Sequence, residues 1–578
     1  MKIPDGLPQL DLNLICSAGA DGIRRETQVM EGFVRDSIGW RSGLNFSYPG
    51  GKDEFRKLMD ELDAVGSLAR RHREIVCHCD VKWEADDTFT ESLREAYAAA
   101  RKVEAVTGVF EWLWRSQPKK TALRLMEHVP GYWYYLARTW KFDPSIYPER
   151  SGEIGGGSIP PAYLKTMSGR SYKLANPSQG KEDSLEKLEA CLRSEDETVR
   201  RSAWDEILRV WTRPGPALGR VYAETALNWI NAITGLKDCY GPMSVRNLVY
   251  DLERRLMMAI IEAVSRGSSI TFSEYFRRKK VLMNKDRLEL HDIFAPVNGG
   301  MAPLSFREAL CETEAAFGEF SPSLTGLASR VLDRGSLSAV WPGRNQCRPM
   351  SPGESPLVLM NWQGGAEDAL ELARLLFHAA HLQLSSGVGD SQFVPGPILA
   401  ECGRAFGEEL LTRRLIAREK DPSRRVAIVC LALDRAWNDI GRGLALARLE
   451  IAAHGLDCVD AVDSPEKLGE EYLYTASELI GDSMLLPRDF RWEWTRELSI
   501  FRPPYFAWER VMGKVAALSL WRSADGAEEN WVERIVDIFR RGGSAPPTYI
   551  FDKCGMSLDD EDFWNRGIES LFELVETL

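Results

Sequence analysis

The stretch "LMNWQGGAEDALELARLLFHAAH" (359–381) decides the fold of this chain. Leu372, Leu376, Ala380 and, just beyond, Leu384 recur at the spacing of one helix face, so the segment from Ala366 reads as a helix. Arg374, His378 and His381 then fall at i, i+4 and i+7, on one face. Just ahead, "SPLVLMNW" (355–362) has strand-like character.

Outward from this stretch the helical period continues almost everywhere. "DEFRKLMDELDAVGSLARRHREI" (53–75) and "FTESLREAYAAARKVEAVTGVFEWLW" (89–114) are amphipathic in the i, i+3, i+4 sense. "SEDETVRRSAWDEILRVW" (194–211) opens with Ser194 ahead of acidic residues, which predicts an N-cap at Ser194. The glycines and prolines of "RSGEIGGGSIPP" (150–161) interrupt the pattern. The expectation is a mainly α protein with at most a small β-sheet. An N-terminal helical lobe would span 1–155 and a second lobe 160–578.

At 578 residues the chain is long for one compact core. Hydrophobic residues make up 44% and charged residues 27%, the balance of an ordinary globular protein. A net charge of −12 with no long Lys/Arg stripe argues against a nucleic-acid surface. No apolar run reaches the roughly 18 residues of a membrane span. The opening "MKIPDGLPQLDLNL" lacks a signal-peptide core, and the 11 cysteines follow no disulfide-like spacing. The expected location is the cytoplasm, with reduced thiols.

A zinc helix of the H-E-x-x-H kind needs His at i and i+4 for the metal and Glu at i+1 as general base. Here those slots hold Arg374, Leu375 and His378. A guanidinium cannot ligate zinc, and a leucine cannot accept a proton. Without further context, His378 and His381 would be core or rim histidines. "VCHCD" (76–80) lacks the two-to-four-residue spacing of thiolate zinc sites and reads as packing. "IGGGS" (154–158) reads as a hinge, since no Gly-Lys-Ser/Thr follows.

Five segments in order resemble the oligoendopeptidase F and thimet oligopeptidase family of zinc metallopeptidases. "LELHDIFAPV" (288–297) is similar to that family's Asp–aromatic–Ala–Pro signature. The opening quotation resembles the approach to its zinc helix. "FVPGPILAECGRAFGEELL" (393–411) is similar to the segment carrying the third zinc ligand. "YFAWERVMGKVAALSLW" (505–521) and the C-terminal stretch from 539 to 578 resemble its closing elements. The likeness covers roughly 160–578, and the N-terminal lobe matches in helical character only.

The resemblance places Arg374 at the first zinc His, Leu375 at the catalytic Glu, His378 at the second zinc His and His381 at a third, non-ligand His. Glu401 takes the third ligand position, with Glu408 behind it one helical face along. The oxyanion-stabilising slots fall on Ile500, Phe506, Trp508 and Arg510, leaving Tyr505 as the nearby phenol. Trp362 and Trp508 fall on cleft-lining segments. The resemblance implies a two-lobed helical shell around a deep central cleft, with a degenerate zinc site. No catalytic residue is expected for hydrolysis, and Arg374 is expected to pair with Glu401, in bidentate fashion, in place of the metal.

The expected function is non-hydrolytic. The former active-site cleft would bind a peptide or peptide-like ligand, or a partner protein, with no cofactor, nucleic acid or membrane. The alternative is an active metallopeptidase, or other chemistry in the same cavity, using zinc on His378, His381 and Glu401. A structural subunit is a third possibility.

Overall fold

The computed structural model describes residues 6–42, 51–79, 88–141, 159–168, 170–172, 185–233, 250–455, 462, 464–501, 505–524 and 529–578. The hinge expected at 154–158, the lobe boundary near it and Asp80 of "VCHCD" lie outside them.

The described residues are 75% helical with one small sheet, as the periodicity predicts. Two hydrophobic cores organise it. In the first, α1 (Gly19–Asp36), α2 (Gly51–His78) and α3 (Thr88–Arg115) interleave Met30, Met59, Ile75, Leu93 and Phe110. Trp114 joins them, and its indole N–H donates to the Leu136 carbonyl at 2.8 Å, so the ring is buried without stranding its donor.

The second core begins at Tyr163 and runs to the C-terminal helix. Its sheet orders β1 (Leu337–Ser338), β2 (Gln346–Arg348) and β3 (Leu357–Leu359) as β1-β3-β2. The central strand is parallel to β1 and antiparallel to β2, with Val358 opposite both Leu337 and Cys347. Strand character expected over 355–362 therefore condenses to three fully buried residues.

The helix Glu197–Thr212 corrects one expectation. Its N-cap is Asp196, whose carboxylate accepts the Thr198 N–H at 2.8 Å, while Ser194 Oγ accepts the N–H of Asp196. The carboxylate caps the same orphan donors and also meets the positive end of the helix dipole.

Four helices build the region around the quoted stretch: α4 (Ala366–Leu384), α5 (Pro397–Arg418), α6 (Pro422–Ala436) and α7 (Ala507–Ala524). Asp368 starts α4 by accepting the N–H groups of Gln363 and Gly365, at 2.8 and 3.0 Å. Pro397 pre-sets the first turn of α5. Leu372, Leu375, Leu376, Phe377 and Leu382 are all buried, so α4 is apolar around its whole girth and its polar residues are enclosed with it. Burying each such side chain contributes roughly 1.5–3 kcal/mol.

Glycines set how closely α5 approaches its neighbours. A methyl group on Gly407 would collide with Phe377 and the Ala373 carbonyl of α4. On the other side, a Cβ on Gly513 of α7 would stand 2.5 Å from Cβ of Glu401.

The two cores are tied by ion pairs. Arg348 of β2 grips Glu74 of α2 through two bonds at 2.9 and 3.0 Å, and Arg70 meets Asp390 at 3.0 Å. The nine cysteines among the described residues are free, and no helix among those residues is long and apolar enough to cross a membrane. Cys77 is exposed and Cys79 buried, so "VCHCD" does not gather its thiols.

Candidate functional site

Arg374 leaves the middle of α4 and is about nine-tenths buried. Its Nη1 donates to Glu408 Oε2 and to Asp439 Oδ2, each at 2.9 Å. Its Nη2 donates to Glu401 Oε2 at 3.3 Å. Glu371, one turn earlier on α4, stands 3.8 Å from Nε.

The expected Arg374–Glu401 ion pair is present, through one bond rather than a two-bond fork. The guanidinium bridges three carboxylates, and Glu401 is the most distant of the three. Glu401 is held more tightly by Arg404, one turn along α5, at 2.5 Å. Glu408, expected behind the metal position, touches Arg374 directly.

Three further groups complete the network, and none of them is signalled by the sequence. Arg435 of α6 forks onto Glu408 with bonds of 3.1 and 3.0 Å. Lys514 of α7 reaches the same carboxylate at 3.2 Å. Asp439 arrives from a π-helical turn, Trp437–Gly441, inserted directly after α6. Arg404 could have been read as an i, i+3 partner of Glu401. Arg435, Lys514 and Asp439 come from other elements, and no local pattern announces them.

Burial alone would push these carboxyls up, but the neighbouring cations overcome it. Arg435, Lys514 and Arg374 hold Glu408 well below the usual range, and Arg404 and Arg374 hold Glu401 below it. Desolvation works against the Arg374 charge, yet Asp439 and Glu408 raise its pKa well above the ordinary value. Glu401, Glu408 and Arg374 are therefore ionised at neutral pH.

The histidines behave differently. His378 and His381 are both buried, with rings 6.3 Å apart. Among the described residues, His378 Nδ1 and both nitrogens of His381 have no hydrogen-bond partner. Burial lowers the His381 pKa to about 3, and burial with Arg404 nearby lowers that of His378 well below its usual value. Both imidazoles are neutral. His381 packs on Phe539, with ring centroids 5.0 Å apart, and against Gly403 of α5.

Leu375 is buried, and so is Ile500. Trp508, expected on a cleft wall, is instead fully buried in the core, its indole N–H without a partner. Tyr505 is also buried and adopts φ +65°, a left-handed conformation rare outside glycine. It is locked there by Glu450, which accepts its N–H at 2.7 Å, and by Tyr250, whose hydroxyl donates to its carbonyl at 2.8 Å. Phe506 is half-buried, Arg510 is 39% exposed, and Trp362 is half-buried against Phe306. A small pocket lies elsewhere, between Tyr134 and Arg138 of the N-terminal part and the start of α5.

A zinc ion needs three protein donors converging at about 2.0–2.3 Å. The residues here do not fit one. Arg374 fills the space between Glu401, Glu408 and Asp439, and it is a donor only. His378, His381 and Glu401 do not bring their ligand atoms within 4.8 Å of one another, whereas Glu197, His291 and Asp292 do. That latter group already surrounds the ammonium of Lys285, 2.9 Å from Glu197 and 2.8 Å from Asp292.

No protein-family model matches the chain. The group B oligopeptidase PepB of Streptococcus agalactiae serotype III (strain NEM316) is 21% identical over 555 residues, covering 91% of this chain and 89% of the relative. A PZ peptidase A solved with an inhibitor superposes with a TM-score of 0.71 at 13% identity, over 92% of this chain and 96% of that one. The oligoendopeptidase F of Enterococcus faecium superposes with a TM-score of 0.60 at 16% identity, over 96% and 98%. The fold is that of these peptidases.

Proposed function

We propose that this chain is an oligoendopeptidase F-like protein that no longer hydrolyses peptides. It binds a peptide or peptide-like ligand, or a partner protein, through the region that holds the active site in its relatives. One observation carries this reading: the Arg374 guanidinium sits within 3.3 Å of Glu401, Glu408 and Asp439. A fixed cation there offsets the charge a metal would otherwise balance, and leaves no lone pair for one. Leu375 at the general-base position supports the same conclusion, because nothing at that slot can activate water.

The names of the relatives fit an active peptidase equally well, and this favours a second reading. In that case His378, His381 and Glu401 would rearrange around zinc and hydrolysis would persist. A purely structural subunit is the third reading; it would co-purify with a partner whatever is substituted at Arg374.

Metal content separates the first two. After incubation with zinc and removal of the excess, elemental analysis is expected to find a stoichiometry near zero. Internally quenched oligopeptides should show no chelator-sensitive cleavage. One tightly held zinc per chain, lost in His378→Ala, together with chelator-sensitive hydrolysis, would replace this proposal with the second.

A further inference from the structure

Two arginines beside the Arg374 network have donors to spare. Arg404 gives one N–H to Glu401, while its Nε is buried without a partner. Arg510 of α7 is more open, 39% exposed, and its one ion pair among the described residues is with Asp439 at 4.0 Å. Among those residues its guanidinium donates no hydrogen bond.

The nearby carboxylates are already engaged by other cations. Glu401 has Arg374 and Arg404, Asp439 has Arg374 at 2.9 Å, and Glu497 has Arg442 at 3.1 Å. Arg348 is spent on Glu74. Arg510 is thus the surplus charge at the open side of the cluster, and Gly513, one turn further along α7, packs that helix directly against Glu401.

We propose that Arg510 is a carboxylate-recognition site, so that the bound peptide is an acidic one or presents its C-terminal carboxylate here. This rests on the peptide-binding reading above and names its substrate class. A planar guanidinium with its fork unused matches a carboxylate in two parallel bonds, which a neutral amide cannot reproduce.

The test uses the full chain and one fluorescein-labelled oligopeptide in four forms: Glu or Gln at its centre, each with a free or an amidated C-terminus. Anisotropy titration should give about tenfold tighter binding to the form carrying the recognised carboxylate, equivalent to about 1.4 kcal/mol. The member of each pair that wins identifies the source, side chain or terminus. The preference should fade between about 0.05 and 0.5 M salt and disappear in Arg510→Gln. That variant removes no short contact and should melt with the parent. A preference that survives Arg510→Gln overturns the assignment. Equal binding of all four forms overturns it too and leaves the peptide-binding reading intact. Binding of none overturns both.

Discussion

Replacing Arg374 with alanine tests the core of the site. Breaking a buried ion pair by removing one partner costs about 3–5 kcal/mol, because the other charge is left uncompensated. Here the loss is uneven. Glu408 keeps the Arg435 fork and Lys514, and Glu401 keeps Arg404. Asp439 is stripped, retaining Asn438 at 3.4 Å and Arg510 at 4.0 Å. One exposed debt rather than three sets the expected loss near the low end, about 3 kcal/mol. Urea unfolding followed by tryptophan fluorescence at pH 7 reads it directly. Adding Asp439→Asn to Arg374→Ala removes the stranded charge and should recover more than 1 kcal/mol, a coupling that independent sites would not show. An unchanged midpoint in Arg374→Ala, or strictly additive losses in the double variant, would refute this account.

Other outcomes follow from neighbouring features. Arg374→His with Leu375→Glu rebuilds H-E-x-x-H ahead of Glu401, and elemental analysis should then find close to one zinc per chain; a folded variant that still holds none contradicts the register. His381 titrates near 3 when folded and near 6.5 when unfolded, so the unfolded chain binds more protons in between. Stability is therefore intact above pH 6.5 and falls as pH drops toward 3, by about 1.4 kcal/mol per pH unit from this group. The slope of stability against pH over pH 4–6 should be shallower by that amount in His381→Leu. Gly407→Ala forces α4 and α5 apart and should cost about 1–3 kcal/mol in the same denaturation assay, whereas equal stability would mean the helices can yield.

What the sequence revealed followed local chemistry. The spacing of Leu372, Leu376 and Ala380 is enough for α4, and the resemblance aligns Arg374 with Glu401 and Glu408. Asp439 was invisible because a π-turn shifts register by one residue, and nothing in "RAWNDIGRG" distinguishes it from an ordinary helix. The strength of each contact was equally hidden. The preference of Arg374 for Glu408 and Asp439 over Glu401 depends on where α6 and α7 cross α5, a tertiary fact. Trp508 was placed on a cleft wall by analogy, but the small residues that let α7 close on α5 carry it into the core.

The cation among Glu401, Glu408 and Asp439 is part of the polypeptide. A bound ion has an exchange rate, a supply chain and competitors; a side chain has none of these. The cation that balances this helix cluster is supplied by the chain itself, in the same copy number as the chain.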